Sequence, residues 1–348
     1  MLTIAPFAVV APLLGPAIDR AQGGRKFTMV AAGGGRAVAA LLAARVIDGL
    51  LLFPAAFVLL VLSKTHAVAK SSLVPTVVES KEELVQANSR LAILSSVVGF
   101  AAAIPGVILL RFAGSDWVMR LAAVTFAAAA LASTRIVQIR PDDPAARQAA
   151  SEELRHAGIA LAGTAMGVLR AAVGFLTFLV AFGLRRSGSP AWMFGIVLAA
   201  SVAGTFLGAA TAPRLRKRIS EEHLLAGSLG LVVLGGLLAS EVGGRGGAVL
   251  AAVAVGVAAS TGKLGFDSLV QRDAPDATQG RWFARFEAIF QLAWVTGALI
   301  TVVFDVPLRA GYILLAVAAG VALAVYVGGL RAAPAPAGRP PPRPPPPA

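Results

Sequence analysis

Gly15-Pro16-Ala17-Ile18-Asp19-Arg20-Ala21-Gln22-Gly23-Gly24-Arg25-Lys26 is a short charged segment set between two apolar runs. Residues 1–18 contain no ionisable side chain, and beyond Lys26 the chain stays apolar to Ala44 except at Arg36. A helix needs roughly 17 to 25 apolar residues to cross the hydrocarbon of a bilayer. The segment therefore reads as a polar hairpin tying two membrane spans.

Composition extends that reading to the whole chain. Of 348 residues 57% are hydrophobic and 14% charged, with a mean hydropathy of +0.77, whereas soluble domains carry about a quarter charged residues. Backbone groups in hydrocarbon must be satisfied within helices or closed barrels, and these runs lack the strict alternation of barrel strands. The expected class is an all-α integral membrane protein. The absence of cysteine excludes disulfides and thiolate metal sites. A net charge of +13 would suggest a nucleic-acid partner in a soluble protein; here its distribution among loops carries the information, and no nucleic acid is implied.

Eleven spans are predicted, over 1–18, 27–44, 49–70, 88–110, 117–134, 158–184, 190–212, 223–240, 246–270, 282–304 and 308–330. The turn at 45–49 is the least marked. Arg170 leaves a second reading of 158–184, in which an interfacial amphipathic helix over 152–168 precedes the true span. One alternate set of loops holds most of the Lys and Arg, including Arg20, Arg25, Lys26, Arg135, Arg140, Arg214, Lys217 and Arg331. By the positive-inside rule that set, and with it the C-terminus, is cytoplasmic. Arg135 to Arg155, with Pro141-Asp142-Asp143-Pro144 at its centre, reads as a linker between two halves, and residues 334–347, nearly all Pro, Ala, Gly and Arg, cannot pack a core. The domain reading is an N-terminal bundle over 1–134, a linker over 135–157, a C-terminal bundle over 158–330 and a Pro-rich tail over 331–348.

An internal repeat supports two related halves. Gly15 to Arg20 recurs as Gly208 to Arg214 at an offset of about 193, with Ala212 in place of the acid; Lys70-Ser71-Ser72-Leu73-Val74 recurs as Phe266-Asp267-Ser268-Leu269-Val270, and Gly99 matches Gly297. Parallel repeats flanking a central loop are one layout of secondary transporters.

At these residues the chain resembles the major facilitator superfamily, and within it the exporters related to the enterobactin exporter. Gly15, Asp19, Arg20, Gly24, Arg25 and Lys26 resemble that superfamily's Gly-x-x-x-Asp-Arg-x-Gly-Arg-Lys loop, with two extra residues between Arg20 and Arg25. Leu84-Val85-x-Ala87-Asn88-Ser89 and Gln271-Arg272-Asp273-Ala274-Pro275 followed by Gly280-Arg281 support the match. The resemblance implies two pseudo-symmetric helix bundles and a proton-coupled efflux transporter of a small organic solute in the plasma membrane. It implies that Asp19 meets the N-terminus of the helix starting near Arg281 and locks the cytoplasmic side in one conformer, with Arg20, Arg25 and Lys26 adding charge pairs. The family's helix ahead of the loop's own helix has no counterpart after Met1, which is expected for a truncated form or a misassigned start.

The remaining candidates follow from the cost of charge in lipid. Asp267 and Glu287 are the acids placed to carry a proton; Lys263 lies four residues before Asp267 and can pair with it; Arg36 sits near a bilayer midplane and calls for a buried acid or carbonyl. The lysines in spans snorkel by default. Phe175, Phe178 and Phe182 share a helix face, and Gln291 and Trp294 form a polar and aromatic pair; a substrate cavity is one reading of these five and core packing the other. Gly163-x-x-x-Gly167 and Gly204-x-x-x-Gly208 indicate close helix packing. No cofactor is implied: His66, His156 and His223 lie apart, no metal-ligand spacing occurs, and no phosphate-binding loop is present. An enzyme is disfavoured. The alternative to a transporter is a transport-inactive membrane sensor or interaction protein working through its tail.

Overall fold

The computed structural model describes residues 24–74, 78, 83–136, 152–274 and 279–332, and every element among them is helical. Ten helices follow in order: α1 Gly24–Arg45, α2 Leu52–Leu73, α3 Leu84–Phe112, α4 Ser115–Ser133, α5 Glu152–Arg186, α6 Ala191–Arg216, α7 Glu221–Val242, α8 Gly244–Asp273, α9 Gln279–Val303 and α10 Leu308–Ala332. All ten are long and apolar enough to cross a membrane. The span expected over 1–18, the loop residues Gly15, Asp19 and Arg20, most of the linker and the Pro-rich tail lie outside the described residues.

The other ten expected spans each fall on one helix, with shifted ends. Gly24, Arg25 and Lys26, expected in the loop, form the first turn of α1. The linker's last residues, 152–157, belong to α5, which runs unbroken past Arg170, so the reading with a separate interfacial helix is not realised. At 46–51 the chain turns through bonds such as Gly49 N donating to the Val46 carbonyl at 3.0 Å and Leu52 N to the Gly49 carbonyl at 3.0 Å.

Because successive helices run antiparallel, the chain has two faces. The face opposite the linker is closed by tight turns in which glycine supplies a left-handed backbone: Gly114 (φ 96°) between α3 and α4, and Gly243 (φ 64°) between α7 and α8. The linker face carries the longer connections.

Helices α1, α2 and α4 pack chiefly on one another, as do α5 to α10; α3 packs mainly on α6 and α8, and the halves meet where α2 and α3 touch α6, α8 and α9. The main core lies in the second half, around Phe266, Ile159, Met166, Leu169, Leu225 and Tyr312. Aromatic rings from α8 and α9 interlock there, Phe266 edge-on to Phe286 at 5.1 Å and to Phe290 at 5.0 Å. Outward faces stay apolar and exposed, as along Val317, Val321 and Val325 of α10, which is the surface a helix turns to lipid. Small residues set the closest crossings. A methyl at Gly256 on α8 would come 2.5 Å from the Ser201 carbonyl of α6, and one at Gly208 on α6 2.6 Å from the Val257 carbonyl, so Gly204-x-x-x-Gly208 does serve close packing. Gly163 seats the Phe286 ring, while Gly167 faces open space.

Candidate functional site

Charged side chains that cannot reach the ends of their spans gather where the two halves meet. Lys64 on α2 reaches across to Glu287 on α9, Nζ to Oε1 2.5 Å, joining residues 223 apart in sequence. Each lies about 12 Å along its helix from the linker-face end, at 1.5 Å per residue. Lys263 Nζ bonds Asp267 Oδ1 one turn on along α8. Lys70, Arg170, Lys263, Asp267 and Glu287 all line one chamber of about 250 Å³ enclosed by α2, α3, α5, α8 and α9.

Two features bound that chamber. Towards the linker face, Asn88 on α3 donates to Gln271 Oε1 at 2.6 Å and to Ser268 Oγ at 3.3 Å on α8, Gln271 donates to the Ser71 carbonyl of α2 at 2.7 Å, and Ser89 donates to the Ala209 carbonyl of α6. Asn88, Ser89, Ser268 and Gln271 are all buried. The seal is made by the repeat itself, since Ser71 and Ser268 stand within the two recurring segments. Away from the linker face, a second cavity of about 490 Å³ runs between α5, α6 and α8, and shares Ala92, Arg170, Lys263 and Leu264 with the chamber. Its walls are mostly apolar, with Thr177, Ser201, Thr205 and Ser260 as hydroxyls. The two spaces stack: an apolar vestibule above, a charged chamber at mid-depth, a hydrogen-bonded floor below.

The other sequence candidates fall elsewhere. Among the described residues Arg36 meets neither acid nor carbonyl; its guanidinium lies 3.9 Å from the centre of the Phe126 ring on α4, an attraction of cation and ring face. Phe175 is core. Phe178 packs on Phe182 (5.9 Å) and edge-on to Trp294 (6.0 Å), an aromatic seam between α5 and α9, and neither these three nor Gln291 lines the two cavities described. No group of three His, Asp or Glu side chains is gathered for a metal among the described residues. Three groups of this site were not singled out as site residues in the sequence. Lys64 and Lys70 read there as snorkelling lysines and Arg170 as a helix boundary; charge deep in an apolar run was the only signal, and it names no partner.

A second charged cluster ties three helix ends on the linker face. Glu221, 1% exposed, accepts from Arg216 Nε at 2.7 Å and Arg272 Nη1 at 2.7 Å, and Arg272 also bonds Glu222 at 2.6 Å and Asp273 at 2.8 Å. Glu221 and Glu222 sit at the N-terminus of α7 and the arginines at the C-termini of α6 and α8, the signs that helix dipoles favour, while Asp273 stands beside Arg272 at the end of α8.

Solved structures share this arrangement of helices. A bacterial homologue of the iron transporter ferroportin, in its outward-facing state, superposes with a TM-score of 0.74 at 16% identity, over 95% of this chain and 89% of that one. The major facilitator superfamily transporter FucP in its outward conformation gives 0.67 at 13% identity over 94% and 87%. The human organic anion transporter MFSD10 gives 0.69 at 16% identity over 93% and 83%. This is the major facilitator fold. The stacked cavities lie where α2 and α3 meet α5, α6, α8 and α9. No family model matches the chain. Among curated proteins it is similar to the uncharacterized protein ML2143 of Mycobacterium leprae (strain TN), 28% identical over 90% of this chain, and to the uncharacterized protein Rv0876c of Mycobacterium tuberculosis (strain ATCC 25618 / H37Rv), 27% identical over 90%. The chain spans 61% and 63% of the length of those relatives.

Proposed function

We infer that the protein is a secondary transporter that moves a small organic solute by alternating access, with protons as coupling ion and Glu287 as the proton-carrying acid. The observation that carries this is the Lys64–Glu287 pair, an ion bridge between the two halves on the wall of a chamber that they enclose together. Protonation of Glu287 cancels the charge that holds Lys64, and loss of that proton restores the pair. A proton is thereby coupled to the separation of the halves. Asp267, held by Lys263, is the second acid. The fold neighbours include the fucose:proton symporter of E. coli, which supports the proton, while their different solutes leave the solute to be read from the cavity. Export across the plasma membrane with the C-terminus inside rests on the family resemblance and the positive-inside rule, as does the gating role of Asp19, whose loop would close the cytoplasmic side.

The test needs no known solute. The chain has no cysteine, so spin labels can be placed on Gln86→Cys in α3 and Arg285→Cys in α9, both exposed near the linker face, and their separation measured by pulsed electron resonance in lipid. A transporter gives a second, longer population that grows as pH falls, because acid removes the Glu287 charge. In Glu287→Gln the longer population is raised at every pH and no longer responds to it. A single distance at all pH values supports the transport-inactive reading instead, and an unaltered pH response in Glu287→Gln removes the proton from that residue.

A further inference from the structure

Charge in the chamber does not balance, and the excess is specific in sign and place. Lys70, Arg170 and Lys263 line the chamber with Asp267 and Glu287, and Lys64, outside the lining, reaches Glu287. Both carboxylates are taken, Glu287 by Lys64 and Asp267 by Lys263. Among the described residues Lys70 and Arg170 make no ion pair, and the Arg170 Nε is buried with no hydrogen-bond partner. Arg170 stands mid-way along α5, at the boundary between chamber and vestibule, out of reach of either end, while Lys70, in the last turn of α2, turns into the chamber beside the hydrogen-bonded floor.

An unpaired cation at the depth of Arg170 is costly, and the chamber lining offers no acid beyond Asp267 and Glu287. Building on the transporter reading, we propose that the solute is a small organic anion whose carboxylate or phosphate oxygens bind Lys70 and Arg170, with its apolar body in the vestibule. Guanidinium and ammonium groups are the partners that such oxygens take. An organic cation finds no free carboxylate in the chamber and two like charges facing it. The apolar vestibule walls, Val173, Leu176, Val180, Leu198 and Val255, suit a hydrocarbon body, and the combined space is in the range of small-molecule sites, about 300 to 1,000 Å³.

Four probes with the same ring and different charge separate the outcomes: benzoate, phenyl phosphate, benzyl alcohol and benzylamine, titrated calorimetrically into the full chain in detergent at millimolar concentration, with empty micelles subtracted. Saturable binding of benzoate or phenyl phosphate, at least tenfold weaker in Arg170→Gln and in Lys70→Gln and partly restored in Arg170→Lys, is the expected result; which of the two anions binds more tightly tells carboxylate from phosphate. In the absence of probe Arg170→Gln should unfold at no lower temperature than the parent, because it removes a charge whose buried Nε has no partner, so its weaker binding is not a folding defect. Benzylamine or benzyl alcohol binding as tightly as the anions, anion binding unchanged in both variants, or no saturable anion binding overturns the proposal. The label distances described above are independent of it: two distances without anion binding refute the solute class and leave the transporter, whereas one distance with anion binding refutes the transporter and leaves a binding protein.

Discussion

Glu221 has 1% of its surface exposed and holds two guanidinium groups, Arg216 and Arg272, at 2.7 Å each. Truncating one partner of a buried pair strands the other, at a cost of about 3 to 5 kcal/mol when both are fully enclosed. Here the arginines retain about a quarter of their surface, and Arg272 keeps Glu222 and Asp273, so the loss is smaller. Glu221→Gln should destabilise the protein by about 2 kcal/mol, read as a shift in unfolding in mixed micelles, while Glu241→Gln, whose contact with Arg309 is exposed and 3.9 Å long, should change nothing measurable. The sequence supplied the residues of such pairs without the pairing. Lys263 with Asp267 was legible because four residues fix one helical face. Lys64 with Glu287 was not, because 223 residues separate them and no local spacing encodes which helices become neighbours.

Helices were the most legible level. Ten apolar runs, bounded by charge, became ten spans, because the length that crosses hydrocarbon and the need to satisfy the backbone within it leave one solution. Ends were less certain: Gly24, Arg25 and Lys26 joined α1, and residues 152–157 joined α5. A polar residue at a helix end costs little either way, so composition marks the edge only loosely. The crossing of α6 and α8 depends on absent side chains. Gly256→Ala places a methyl 2.5 Å from the Ser201 carbonyl, a backbone atom that cannot turn aside, and should destabilise by about 2 kcal/mol, within the range for overpacked cores. Gly227→Ala on α7, exposed and with nothing within 4 Å, should lose nothing under the same denaturation. An equal loss in both would mean that helix approach does not set the crossing.

At the scale of the whole molecule the two halves are joined on the linker face by Asn88, Gln271, Ser268 and Ser71. If that seal must open for the halves to rock, a bond across it arrests them. Ser71→Cys with Gln271→Cys, oxidised to a disulfide in the cysteine-free background, should abolish the longer label distance, and reduction should bring it back. A longer population that survives cross-linking would place the moving contact elsewhere. The repeat that put Lys70–Val74 and Phe266–Val270 in correspondence was visible in the sequence, and so was the pair Asn88 and Ser89 as part of a family-like motif. That these segments close the same floor was visible only in the fold.

What the amino-acid order determined by itself is the class and the threading: hydrophobic length and the backbone's need for internal hydrogen bonds act locally and act on every span alike. It also determined which charges lie too deep in apolar segments to be idle. What the tertiary structure decided is how those charges divide, with Lys64 and Lys263 neutralised by Glu287 and Asp267 and with Lys70 and Arg170 left over beside an apolar cavity. The reason is that electrostatic pairing depends on distance through space, at the few ångströms over which low-dielectric interactions are strong, and such distances are set by which helices pack together.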